Sequence, residues 1–272
     1  MEVHVLASGS SGNCALLVAG RGDDRVVLCQ DAGIPQRPAR ALARAAGFDL
    51  CAVDTVLLTH RHGDHAANVV QVAARAGAPL FAHADALGRT ERTSEAERAR
   101  RGVVVRPLAA ERDFAVGPLR VRPLALPHDA EPTFGFLYED ENGDRLGFFT
   151  DLGGTAPLSG DVLAGVGVLV LEANHDRGLL AAGRYPPHLK ARVGGPLGHL
   201  GNHQLADFLA AWTPSSLRVL VLAHLSEHNN TPELALAAAH AGLRRAGRRD
   251  VRVEVAPKRG PLSVGLGLAA RP

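Results

Sequence analysis

The sequence predicts an α/β fold in which two mixed β-sheets are covered on their outer faces by helices. Short apolar runs follow one another directly at the front of the chain, as in a meander. Later runs alternate with stretches of helical periodicity. The 272 residues are 46% hydrophobic and 21% charged, a balance that can bury a substantial core. No linker or short repeat interrupts the pattern, so a single domain over 1–272 is expected.

Strands are expected at 3–6, 15–18 and 26–28, the last two joined by the turn Arg21-Gly22-Asp23-Asp24. Between the first two lies Ser8-Gly-Ser-Ser-Gly-Asn13, rich in residues that tolerate positive φ. It lacks the Lys-Ser/Thr of a phosphate-binding P-loop. A helix over 38–46 leads to an apolar strand at 56–59, and a helix over 66–76 leads to a strand at 79–82. The Arg/Glu-rich stretch 89–101 has no broad apolar face and reads as a solvated helix or loop. Strands follow at 119–126, 134–138 and 146–149, the latter two joined by a turn over 139–144 that contains Asn142-Gly143. The back third alternates a strand at 166–171, helical pieces, a strand at 217–222 and a helix over 232–246. Strands at 251–255 and 262–266 close the pattern.

Composition removes several function classes. A net charge of +2 is too small to imply a polyanionic partner by itself, so any nucleic-acid argument rests on where the arginines lie. Cys14, Cys29 and Cys51 form no CxxC pair and read as small buried hydrophobes in a reducing cytosol. The first residues lack the basic and apolar regions of a signal peptide, and no uncharged run approaches the ~20 residues that span a bilayer. A cytoplasmic protein without membrane attachment is expected.

The chemistry concentrates in Thr59-His60-Arg61-His62-Gly63-Asp64-His65, between an apolar strand and a helix. His60 and His62 are two apart, so an extended turn can aim both rings at one ion. Asp64 and His65 can reach a second ion nearby, since paired catalytic metals sit ~3.5–4 Å apart. Three more apolar strands end in a ligand type: Leu124-Ala-Leu-Pro-His128, Gly147-Phe-Phe-Thr-Asp151 and Val219-Leu-Val-Leu-Ala-His224. The division that satisfies both ions gives His60, His62 and His128 to one, and Asp64, His65 and His224 to the other. Asp151 bridges them, because a carboxylate has two oxygens and an imidazole one free lone pair.

The HxHxDH motif with the following His, Asp and His resembles the metallo-β-lactamase superfamily. Leu6-Ala-Ser-Gly-Ser-Ser-Gly-Asn13, Asp31-Ala-Gly33, Glu172-Ala-Asn-His-Asp176, Tyr185-Pro-Pro-His-Leu-Lys190, Gly198-His-Leu-Gly-Asn202 and the stretch His224-Leu-Ser-Glu-His-Asn-Asn-Thr-Pro-Glu-Leu234 narrow the resemblance to its YycJ (WalJ) branch. That branch is similar to DNA exonucleases acting from the 5′ end, and the likeness runs from residue 3 to about residue 240. The resemblance implies a four-layer αββα sandwich and a dinuclear hydrolase holding two divalent metal ions (Zn or Mn, with Fe as an option). It implies a hydroxide shared by the metals as nucleophile, Asp64 in catalysis, and a DNA substrate. Other hydrolases on the scaffold are the alternatives: cyclic phosphodiesterases, RNA-processing nucleases and lactone or thioester hydrolases. Iron-dependent redox enzymes share it too, but His62 stands where their di-iron flavoprotein type usually has Glu. Arg61, Gly201 and His228 depart from the branch, which often has Glu, Ser and Glu there, and none of the three removes a ligand.

By the same resemblance Asp31 lies behind the main cluster and is expected to orient a ligand histidine. His199, in a Gly-rich loop, is expected to contribute to catalysis without binding metal, with helix initiation before Asn202 as the structural alternative. Arg61, Lys190 and Arg192 are candidate phosphate contacts, against an ordinary solvated surface. His83 ends a strand but has no ligand counterpart in the family. Arg244, Arg245, Arg248 and Arg249 read as a solvated helix end.

Overall fold

In the computed structural model, which describes residues 1–158 and 161–266, the front half of the chain and the last strand build one seven-stranded sheet and the rest of the back half another. Residues 267–272 of the expected domain lie outside the described residues. The front half runs β1 (Glu2–Ala7), β2 (Cys14–Ala19), β3 (Val26–Gln30), α1 (Gln36–Ala45), β4 (Thr55–Leu57), α2 (Gly63–Ala66), α3 (Val69–Ala76), β5 (Leu80–Ala82), α4 (Glu95–Arg100) and β6 (Val105–Pro107). The back half continues with β7 (Phe114–Val116), β8 (Leu119–Leu126), β9 (Thr133–Glu139), β10 (Arg145–Phe149), β11 (Val166–Glu172), α5 (Arg177–Ala182), α6 (Pro187–Val193), α7 (Asn202–Trp212), β12 (Val219–Ala223), α8 (Pro232–Arg245) and β13 (Arg252–Val255). The last strand, β14 (Leu262–Gly265), returns to pair antiparallel with β1.

Each sheet is antiparallel where hairpins connect its strands and parallel where helices do, as at β3–β4 and β11–β12. The strands are apolar on both faces because both faces are covered. Leu17 packs between the sheets, while its neighbour Leu16 packs under the helices of the first sheet. On the other side Val168 and Val170 face between the sheets, whereas Leu169 and Leu171 meet α7 and α8. Period-two alternation thus feeds three apolar layers and yields the αββα sandwich.

The departures from the sequence reading are local. The helix expected over 66–76 is broken in two. Asn68 leaves helical geometry because its amide hydrogen reaches the Ala32 carbonyl at 2.9 Å and its side chain donates to the Ile34 carbonyl at 2.9 Å. β6 and β7 carry no periodicity signal, being three-residue edge strands. The stretch 89–101 forms a short 3₁₀ turn and then the exposed α4, whose N-terminus is capped by the Ser94 hydroxyl.

Candidate metal centre

The site lies between the two sheets' strand ends. Among the described residues four non-glycine residues have positive φ, and Asp31, Asp151 and His224 are three of them. Each follows a buried strand or its last residue. Left-handed backbone is costly for a side chain bearing a Cβ, so its concentration here marks functional strain.

Backbone bonds fix the main motif. Asn13 donates its amide hydrogen to the Asp64 carbonyl at 2.7 Å, and Ala32 donates to the His65 carbonyl at 2.9 Å. Gly33 passes so close that a Cβ there would lie 1.6 Å from the Asp64 oxygen. Only glycine fits.

The histidines share one orientation. His65 presents Nδ1 to Asp31 Oδ2 at 2.8 Å, His128 to the Gly198 carbonyl at 3.0 Å, and His224 to Glu172 Oε1 at 2.7 Å. His60 presents Nδ1 to the Thr59 hydroxyl at 2.9 Å, and that hydroxyl donates onward to Asp31 Oδ2 at 2.9 Å. All four therefore keep a proton on Nδ1 and turn Nε2 inward, the nitrogen that a metal would take. His62 differs: its Nδ1 lies 3.4 Å from His128 Nε2, and its Nε2 lies 3.5 Å from Asp129.

The inward atoms converge without partners. His60 Nε2, His224 Nε2 and Asp151 Oδ2 are buried and form no hydrogen bond. Asp151 Oδ2 is 3.3 Å from His65 Nε2, and Asp64 Oδ2 is 3.6 and 3.7 Å from the Nε2 atoms of His65 and His224. Within 4.8 Å of one another stand the groups His60–His62–His128, Asp64–His65–His224 and His60–His65–Asp151. Buried polar atoms that lack both solvent and a partner carry a cost that a bound cation removes. The donor set of imidazole nitrogens and carboxylate oxygens suits Zn, Mn or Fe.

The ionisation pattern agrees. Burial pushes the His60 imidazole well below its ordinary value, reinforced by the neighbouring His65 and His128. Burial also opposes charge on His65, but the carboxylates of Asp151, Asp31 and Asp64 outweigh it and raise its pKa to about 9. The Asn13 amide, 2.9 Å from Nε2, works the other way, since a donor there favours the bare nitrogen. His224 is raised well above its usual range because Asp151, Asp64 and Glu172 overcome burial. Burial favours the neutral acid at Asp64, Asp151 and Glu172, yet the facing imidazoles hold all three below the ordinary carboxylate range.

All seven residues expected as ligands are thus brought together, with Asp31 behind His65. His199 sits at the rim, 20% exposed, with Nδ1 on Glu172 Oε1 at 2.9 Å. Burial opposes its charge, and Glu172 overcomes that and raises its pKa. The basic candidates have partners of their own. Arg61 donates to the carbonyls of Asp129 and Glu131, Arg192 pairs with the Asp129 carboxylate, and Lys190 donates to the Ala181 carbonyl at 2.6 Å. His83 stands outside the cluster and accepts from the Asp85 amide.

The reading of single residues gave no role to Glu172, which also accepts from the amides of Leu152 and Leu200 at 3.1 and 2.9 Å. The signal was present: Val166–Glu172 is another apolar strand ending in a ligand type. Asp129 was missed because it ends no strand.

The family described as "Beta-lactamase superfamily domain" matches residues 28–225, a span holding Asp31 and every candidate ligand from His60 to His224. The chain belongs to this superfamily. Its fold is the metallo-β-lactamase fold: the structure resembles Zn²⁺-bound PqqB from Methylobacterium extorquens with a TM-score of 0.70, at 19% identity over 98% of this chain and 100% of that one. The chain is 31% identical over 242 residues to Exodeoxyribonuclease YycJ of Bacillus anthracis, covering 86% of each. It is 28% identical over 238 residues to Exodeoxyribonuclease WalJ of Streptococcus pneumoniae, covering 86% of this chain and 85% of that one. It is therefore a metallo-β-lactamase superfamily hydrolase, and membership implies divalent metal ions. Among the described residues no helix is long and apolar enough to cross a membrane.

Proposed function

We propose that this hydrolase cleaves phosphodiester bonds of DNA from the 5′ end, in the cytoplasm, as one domain carrying two metals of the Zn or Mn type. The observation that carries the reading is the inward convergence of the Nε2 atoms of His60, His65, His128 and His224 around Asp64 and Asp151. The naming of both curated relatives as exodeoxyribonucleases supports the choice of substrate.

In this reading His60, His62 and His128 would hold one ion and Asp64, His65 and His224 the other, with Asp151 within reach of His60 and His65 from the two sets. When bound, the two dications supply an acidified water and neutralise charge growing on the attacked phosphate. Asp64, ionised at neutral pH and 25% exposed, accepts a hydrogen bond from the attacking water and orients it. Asp31 fixes His65, and Glu172 fixes His224 and His199 together. With its Nδ1 proton held by Glu172 and its pKa raised, His199 donates the Nε2 proton to the departing oxygen. Arg61 and Arg192 border the centre through Asp129 and steer the scissile phosphate. Lys190 is left out of this set, because its ammonium caps the last turn of α5.

The test uses duplexes labelled at the 5′ or the 3′ end, each with and without a 5′ phosphate, in Mn and in Zn. Mononucleotides released from the 5′ end are expected. Absence of cleavage of any nucleic acid, beside rapid lactone or thioester turnover, would sink the reading.

A further inference from the structure

We infer that an arginine-lined groove, leading from the metal motif to α1, holds the phosphodiester backbone of the nucleic acid whose end is cut. The inference rests on the nuclease reading and extends it to a surface remote from the centre. Three adjoining recesses form the groove. The first is lined by Arg61, Gly63 and Ala67 on the motif side and by Thr90 to Thr93 opposite. The second shares Ala67 and Arg92 with the first and adds Gln36 and Arg75. The third shares Gln36 and Arg75 with the second and adds Arg37, Arg40 and Arg44.

The charge in this groove is one-sided. Glu91 is the one carboxylate among its lining residues. Arg37, Arg40, Arg44, Arg75 and Arg92 have no ion-pair partner among the described residues, and the Arg40 Nε atom is buried without a hydrogen bond. Arg101, on the same groove, is by contrast held by Glu97. Some arginines elsewhere are neutralised, as Arg120 and Arg122 are by Asp113, Arg245 by Asp207 and Arg248 by Asp250, while Arg244 and Arg249 at the end of α8 form no ion pair among the described residues either. What sets this face apart in a chain of net charge +2 is the number gathered along one path, five arginines without an ion pair against a single carboxylate.

Geometry and chemistry select the ligand. Arg37, Arg40 and Arg44 fall at i, i+3 and i+7 on α1, so they share one face and span ~10 Å, roughly three base steps of a strand. Guanidinium matches phosphate with paired hydrogen bonds. No aromatic residue lines the groove, which favours backbone contact over base stacking. None of the exposed large hydrophobics (Val104, Leu179, Leu197, Leu234) lies along it, so it lacks the apolar anchors of a membrane-binding face.

The test is the combined variant Arg37→Glu, Arg44→Glu and Arg75→Glu, all exposed positions whose thermal melting should match the parent. Metal-loaded proteins are titrated with DNA of about 30 nucleotides, single-stranded and duplex, protected at the 5′ end by phosphorothioates, over a range of salt. The variant is expected to bind at least about tenfold more weakly, and its salt slope to fall by about 2 for single strands or about 3 for duplex. The ratio of kcat/KM for the long strand to that for a trinucleotide should fall in parallel. Equal affinity and slope in variant and parent, or a parent without affinity for DNA, would overturn the groove. A parent that cuts DNA beside a variant that binds equally well keeps the nuclease reading and removes the groove. A protein that binds through these arginines and cuts nothing does the reverse.

Discussion

On the first sheet the candidate ligands arrive together, His60, His62, Asp64 and His65 lying within six residues after β4, whereas the second sheet supplies His128, Asp151 and His224 from the ends of β8, β10 and β12. The two walls are secured differently as a result. On the first, backbone bonds from Asn13 and Ala32 and the close approach of Gly33 hold the segment, and Asp31 orients one histidine directly and a second through Thr59. On the second, the side chains are far apart in sequence, and one fully buried carboxylate, Glu172, gathers His224, His199 and two backbone amides. A compact motif is positioned mostly by its backbone. A dispersed one depends on a hub.

The largest effect expected from that contrast is at Glu172. Glu172→Gln offers one accepting oxygen where the carboxylate satisfied four donors, leaving buried groups unpaired. Metal affinity should drop about 10–100-fold as His224 loses its orientation. Turnover should fall ~10²–10⁴-fold even at saturating metal, because His199 loses the partner that keeps it protonated. Metal titration followed by assay at saturation separates the two losses. Full recovery of turnover at high metal would remove Glu172's second role.

Asp31→Asn should be milder. The amide still accepts from Thr59 but no longer from His65 Nδ1, so affinity at that position is expected to fall about 10–100-fold. Since Asp64 and His65 stay tied by their own backbone bonds, excess metal should restore most of the turnover. If it does not, the two walls are equally dependent on their carboxylates and the contrast fails.

The same contrast explains what the sequence made legible. The HxHxDH segment could be read because its ligands are neighbours, and the remaining three because each ends an apolar run. Glu172 satisfied that second pattern and was passed over, since a carboxylate holding imidazoles looks the same in sequence as one holding metal. The sandwich was legible from alternation that reads as apolar on both faces. The break at Asn68 and the heads of Arg61, Lys190 and Arg192 were not, because they are set by carbonyls, and for Arg192 by the Asp129 carboxylate, brought near by the fold alone. Nothing in the sequence singles out the arginines of α1, because only the fold brings them onto one face with Arg75 and Arg92.

A third expectation concerns protons. His65, raised to about 9, is protonated in the metal-free protein at neutral pH, and His224 lies on the same side. Each must lose a proton to offer Nε2 to a cation, so binding should release up to two protons near pH 7.5. The share of the release that comes from His65 should fade as pH rises past about 9, where that imidazole is already bare. The folded value of His65 exceeds its ordinary 6.5, so this charge stabilises the metal-free protein fully below 6.5 and is lost as pH climbs through about 9. Calorimetry in buffers of differing ionisation enthalpy reads the proton count. A count that stays flat from pH 7 to 10 would break the assignment.

The smallest effect should come from a buried side-chain bond that ties the sheets together just beneath Asp31. Tyr138 on β9 donates its hydroxyl to Gln30 Oε1 at 2.7 Å, 108 residues away, and burial raises its pKa well above the ordinary phenol, so the proton stays. Tyr138→Phe keeps the ring in the core between the sheets but leaves the Gln30 oxygen without a partner, a loss of about 1–3 kcal/mol. For a chain of this size that corresponds to roughly 2–10 °C in melting temperature. Metal content and turnover should nevertheless hold. Asp31 remains fixed by its amide on the Leu57 carbonyl at 2.9 Å, and Gln30 stays in register with Ala15. The apolar layer sets the distance between the walls, and a single polar tie adds to stability without setting the geometry of the centre. If instead metal affinity falls along with melting temperature, the two walls are held at working distance by that bond, and the first wall is less self-sufficient than its backbone network implies.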